Sequence, residues 1–194
     1  MAADVGLLED AELGNAQARI YTWDGVWVTL GRNQKPSDAL LDLSVPYIIR
    51  PTGGAAVLHG HDLTIGIAMP LAELGCTPRE VKRAYLGLVS PILVALNEAG
   101  VPAVLGRDIA DRGSFASPYC FGMKSDYDVL NRETGEKICG CAMRVTDSAA
   151  LLQASIPISK PVRDPSNILR NFLMTPLVPL EPAGFIENLR KSLQ

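Results

Sequence analysis

One long helical repeat, set among short β-type runs, constrains this chain most. Val81, Tyr85, Leu88, Ile92 and Leu96 recur at the spacing that places apolar residues on one face of a helix. The preceding Thr77-Pro78-Arg79-Glu80 has the capping-box form with proline at the first helical position, so the helix is expected to start at Thr77. Pro91 should bend it, and Gly100 followed by Pro102 should end it. The first third of the chain is mostly strand. Ala18 to Tyr21 and Val26 to Leu30 are β-rich, and the Asp24-Gly25 between them signals a hairpin. Tyr47 to Arg50, Ala56 to Leu58 and Leu63 to Met69 follow as further strands. Beyond the helix, Val101 to Leu105, Asp126 to Leu130, Ile138 to Val145 and Ala150 to Ile158 read as strands, the middle two paired around Asn131 to Glu136, while Arg107 to Ser117 reads as a loop. Short helices are expected from Ala2 to about Glu12, with Val5, Leu7 and Leu8 as the docking stripe, around Ile168 to Leu173 among five prolines, and from Ala183 to Leu193. Strands with helices segregated on them make an α+β layout.

At 194 residues and 47% hydrophobic, the chain supports one sizeable core, and a single domain over residues 1–194 is expected. A net charge of −3 lacks the basic excess that nucleic-acid binding demands. The N-terminus carries acids instead of a basic region followed by an apolar one, and no apolar run approaches a membrane span, so neither secretion nor membrane insertion is expected. Cys76, Cys120, Cys139 and Cys141 then read as reduced thiols of a cytoplasmic protein.

The stretch Arg50-Pro-Thr-Gly-Gly-Ala-Ala-Val-Leu-His59 places a cation, two adjacent glycines and a histidine between apolar runs. Glycines without Cβ atoms let a ligand lie against main-chain N–H groups, and an arginine fork can meet a carboxylate or phosphate there. A plain turn with a surface arginine is the competing reading.

Five segments in order resemble the catalytic domain shared by biotin and lipoate protein ligases and octanoyltransferases, on the lipoate side of that family. Ala2 to Leu8 resembles the end of its first helix. Tyr21-Thr22-Trp23 with Leu30-Gly31-Arg32-Asn33-Gln34 resembles "YxW…LGRxQ", and Arg50 to His59 resembles "RRPTGGGAVxH". Tyr119-Cys120-Phe121, Asp126-Tyr127-Asp128 and Lys137 to Ala142 resemble "CF…DY(E/D)…GKKIxGSA", and Leu151 to Ser155 resembles "LxQHGS".

The resemblance implies the mixed sheet of class II aminoacyl-tRNA synthetases and biotin synthetases, and an acyl chain destined for a lysine of a lipoyl domain or of a glycine-cleavage H-type protein. Lys137, by itself an ordinary solvated lysine, matches the lysine that meets the acyl carbonyl and would stabilise developing negative charge. Arg50, Thr52, Gly53 and Gly54, with Gly140 and Ala142, would line the acyl carboxyl, and His59 matches the motif histidine. Cys120 matches the nucleophile of one group of octanoyltransferases, where a nearby lysine would favour the thiolate. Cys139 and Cys141 share one face of a strand, which invites a metal reading. Two thiols lack the second ligand pair of a zinc site, and packing is the better reading.

Ile49 stands where many relatives have another arginine, Ala55 where ligases often have a third glycine, and Gly60-His61-Asp62-Leu63-Thr64 resembles the octanoyltransferase form. These departures favour a thioester donor on an acyl-carrier protein, with no cofactor, over free lipoate activated by ATP and magnesium. The resemblance also implies a chain with no room for the accessory domain of some ligases, and a sheet edge left exposed near the N-terminus.

Overall fold

The computed structural model describes residues 2–109, 119–122, 124–172 and 176–193. Most of the expected loop from Arg107 to Ser117 lies outside them. The chain forms α1 (Ala2–Glu12), β1 (Gln17–Tyr21), β2 (Trp27–Leu30), α2 (Pro36–Ala39), β3 (Tyr47–Ile49), β4 (Val57–His59), β5 (Asp62–Pro70), α3 (Val81–Glu98), β6 (Ala103–Leu105), β7 (Val129–Asn131), β8 (Lys137–Val145), β9 (Ala149–Pro157) and α4 (Pro182–Ser192).

A six-stranded sheet has the order β1-β5-β9-β8-β7-β6, every neighbouring pair antiparallel. A three-stranded sheet has the order β3-β2-β4, with β2 parallel to β3 and antiparallel to β4. The α+β layout stands, but the expected β1–β2 hairpin does not form. β1 pairs with β5 in the large sheet while β2 lies in the small one. Gly25 does turn the chain, at φ 77°, yet it redirects it between sheets. The strands flanking the glycine turn, β3 and β4, are likewise separated by β2.

Period-two alternation explains why one sheet carries both a core and a site. Leu63, Ile65 and Ile67 of β5 and Ala150, Leu152, Ala154 and Ile156 of β9 pack with Leu88, Ile92 and Leu96 of α3 and with Phe185 and Leu189 of α4. Neighbours of opposite parity, Asp62, Thr64, Gln153 and Ser155, are also buried, although polar. The apolar part of that parity, Ala68, Ala149 and Leu151, receives Leu8 and Ala11 of α1. Helix α1 therefore docks mainly on β5 and β9, and its buried face includes Asp4, whereas Val5 is exposed.

Two further boundaries differ from expectation. Glu80 accepts from the Thr77 N–H and hydroxyl at 2.9 Å each, so the box closes a separate turn and α3 starts at Val81, which stays exposed. The helix continues through Pro91 and stops where Gly100 takes φ 81°. Of the expected helix around residues 168–173, residue 173 lies outside the described residues and 168–172 are not helical; a 3-10 turn at Pro165–Asn167, capped by Asp164 through the Ser166 N–H, precedes them, and Asn171 adopts φ 51°.

Candidate active site

A pocket opens between the two sheets. The small sheet contributes Thr29, Val57 and His59, and the large one Tyr21, Thr64, Gly140, Ala142, Gln153 and Ser155, with Trp23, Arg50 and Cys120 completing the lining. Cys120 reaches it because a parallel bridge joins Tyr119 to Ala56 and the Cys120 N–H donates to the Ala56 carbonyl at 2.9 Å. The end of the glycine turn thus fixes the cysteine. Gly140 faces the sulfur: a Cβ there would lie 3.0 Å from Cys120 Sγ and 3.3 Å from Phe121 Cε2.

Lys137 begins β8 and is buried, contrary to the default of a solvated lysine. Its ammonium donates to the Cys120 carbonyl at 2.9 Å and to Cys120 Sγ at 3.5 Å, and pairs with Asp128 Oδ1 at 2.8 Å. Burial opposes the charge, but Cys120 and Asp128 outweigh it and hold Lys137 above the ordinary lysine value. Asp128 is in turn fixed by the Ser125 N–H at 2.6 Å. Asp128 belongs to the Asp126-Tyr127-Asp128 segment, from which no role for it was expected.

Arg50 is buried and turned inward on its own loop. Its Nε donates to Thr52 Oγ1 and the Gly53 carbonyl, Nη1 to the carbonyl and hydroxyl of Thr29, and Nη2 to the Gly53 and Ala55 carbonyls at 2.6 and 2.8 Å. All five donors have protein acceptors, so the guanidinium shapes the glycine turn as well as lining the pocket. Burial lowers its pKa, and the nearby Cys120 counters this. Gly54 takes φ +83°, and a Cβ there would meet Arg50 Nη2 at 3.0 Å. Gly31 is the tighter constraint, since its Cβ would fall 1.9 Å from the Gly54 carbonyl oxygen. Thr52, Gly53 and Gly54 are not among the lining residues described, and Thr52 is fully buried.

His59 links the two sheets. Nε2 lies 2.8 Å from Thr29 Oγ1, Nδ1 lies 2.8 Å from Asp62 Oδ2, and the ring stacks on Trp23 at 4.5 Å. Asp62 Oδ2 also accepts from Thr64 Oγ1 at 2.9 Å and Ser155 Oγ at 2.6 Å. Burial raises the Asp62 carboxyl, but His59 and these hydrogen bonds prevail and hold it below the ordinary value. Asp62, Gln153, Ser155 and Thr29 all escaped sequence assignment; buried polar residues at alternate strand positions were the available signal. Cys139 and Cys141 pack beside α3 with their sulfurs 3.6 Å apart.

The family model for the lipoyl protein ligase A/B catalytic domain matches residues 1–174. The octanoyltransferase LipM of Exiguobacterium sp. (strain ATCC BAA-1283 / AT1b) is 31% identical over 151 residues, which is 73% of this chain and 54% of that protein. The LipM of Lysinibacillus sphaericus is 31% identical over 134 residues, covering 64% of this chain and 48% of that one. The chain spans about half the length of these curated relatives. Among solved structures, lipoate-protein ligase A bound with ATP matches with a TM-score of 0.69 at 18% identity, over 99% of this chain and 77% of that one. A bipartite lipoate protein ligase from Thermoplasma acidophilum, described with its E2 lipoyl domain, gives 0.67 at 17% identity over 98% and 79%. These likenesses show the fold, a mixed α+β layout with an antiparallel sheet flanked by helices. With the order of segments, the two-sheet fold and a match over residues 1–174 in agreement, the chain belongs to the lipoyl protein ligase A/B catalytic-domain family.

Proposed function

We propose that this chain is a protein acyltransferase of lipoate metabolism that carries an octanoyl or lipoyl group on Cys120. The observation that carries this reading is the sulfur itself, lining the pocket with the Lys137 ammonium 3.5 Å away. Cys120 attacks the carbonyl of an acyl-carrier thioester; the new C–S bond forms as the carrier's breaks, and the carrier thiol leaves with the proton. The Lys137 ammonium, 3.5 Å from that sulfur, would stabilise the oxyanion of each half-reaction by its positive charge. The amine of a target lysine, on a lipoyl domain or a glycine-cleavage H-type protein, then attacks the thioester to form the amide and return the thiol. No cofactor is needed. Similarity to octanoyltransferases over 73% of the chain supports this reading, and four unpaired cysteines suit the reducing cytoplasm.

The fold shared with an ATP-bound lipoate-protein ligase favours a second reading, in which free lipoate is adenylated with ATP and magnesium. Intact-mass measurement separates the two. Mixing the chain with octanoyl-acyl-carrier protein should add one octanoyl group, lost in Cys120→Ser. No adduct, together with magnesium-dependent pyrophosphate release on adding ATP and lipoate, would establish the ligase. Neither reaction would leave a non-catalytic module that holds an acylated carrier.

A further inference from the structure

Asp4, in the first turn of α1, is a completely buried carboxylate. Such a group is tolerated only when its lone pairs are met. Arg19 Nη1 donates to Oδ1 at 3.1 Å, and Tyr21 Oη and Gln153 Nε2 donate to Oδ2 at 2.9 and 2.5 Å. Tyr21 and Gln153 both line the pocket. The Gln153 carbonyl accepts from Thr52 Oγ1 at 2.7 Å, and Thr52 Oγ1 accepts from Arg50 Nε at 3.1 Å.

The direction of this chain of bonds is fixed by Asp4. With three donors converging on its two oxygens, Asp4 acts as the acceptor, so it meets the NH2 end of Gln153 and leaves the carbonyl end for Thr52. The single Thr52 proton is then committed to Gln153, and the hydroxyl oxygen is available to Arg50. Arg50 continues to Thr29, which meets His59. We infer that Asp4 is a positioning residue for the acyl pocket, setting Tyr21 and Gln153 directly and Arg50 and the glycine turn through Thr52. Its effect on acyl transfer rests on the proposed function; its hold on Arg50 does not.

Asp4→Asn is the informative variant. Its NH2 group must face either Arg19 or the Tyr21 and Gln153 donors, so one donor–donor clash follows in either orientation. Gln153→Leu breaks the next link. In the full chain, solvent exchange of the Arg50 Nε–H, followed by 15N NMR, should rise about tenfold in each variant and no further in the double variant, since one chain of bonds is cut twice. Exchange of the α3 amides should stay unchanged, which a general loss of stability would not allow. In the transfer assay kcat should fall by about tenfold while the KM for the acyl carrier stays within about twofold. Wild-type Arg50 exchange in a folded Asp4→Leu chain, which keeps no oxygen to turn toward Tyr21 and Gln153, overturns the inference. Should that variant fail to fold, Thr52→Val, which keeps the volume and removes the hydroxyl, decides by the same exchange readout. If the wild-type chain accepts no acyl group, the functional reading fails while Arg50 exchange still tests the positioning role.

Discussion

The Lys137 ammonium lies 3.5 Å from the sulfur of Cys120 and donates to the carbonyl of that same residue at 2.9 Å. One side chain therefore holds both the backbone carbonyl and the sulfur of the proposed nucleophile. Asp128, paired with the ammonium at 2.8 Å, sets where Lys137 can stand.

Asp128→Asn removes the partner of a buried cation, which should destabilise the fold by about 3 kcal/mol. Lys137 titrates above its ordinary value of 10.5, so the stability from its pairing is fully present below that pH and is lost only as pH rises through the raised value. The difference between Asp128→Asn and wild type in urea unfolding should accordingly stay constant from neutral pH to about pH 10. A difference that vanishes by pH 8 would contradict the pairing.

Gly140→Ala places a methyl 3.0 Å from Cys120 Sγ. Overpacking of this kind destabilises by about 1–2 kcal/mol, and the displaced sulfur should slow acyl-adduct formation far more than it lowers the melting temperature. Thioester formation at the wild-type rate would show that Gly140 does not set the sulfur's position.

Gly31→Ala should be the most damaging glycine replacement. Its Cβ meets backbone, the Gly54 carbonyl oxygen at 1.9 Å, so the glycine turn itself must open. A loss of about 3 kcal/mol is expected in thermal or urea unfolding, against little change for Gly6→Ala, where nothing lies within 4 Å.

Acid should act through Asp62. Its carboxyl is held below the ordinary 3.8, so it contributes stability above that pH and loses it as pH falls through the depressed value. Asp62→Asn should thus lose stability at neutral pH and show a flatter decline below about pH 4 than wild type, measured by unfolding across that range.

Strand positions were legible because alternation and turn residues are local. Partner choice was not. Asp24-Gly25 signals a hairpin, yet β1 finds β5 and β2 finds β4, because Ile20 packs with the α3 core while Val28 and Leu30 build the second core. The same limit applied to the site. The glycine turn, Cys120 and Lys137 stood out as motif residues, and the fold brings Cys120 and Lys137 together. Spacing gave no hint that Arg50 would turn its donors onto its own loop and onto Thr29, nor that Asp4, 149 residues from Gln153, would close on it. Such side-chain partners are set by packing between faces, which a linear pattern does not encode.

The β5–β9 ladder, which pairs Asp62 with Pro157 and Pro70 with Ala149, separates early-made from late-made parts of the pocket. Thr29, Arg50 and His59 precede the long helix, while Gln153 and Ser155 arrive with β9. Closing so long a loop is entropically slow. A chain emerging from the ribosome therefore has Asp4 without Gln153 and Asp62 without Ser155 until β9 is made, and the pocket is completed in one late step.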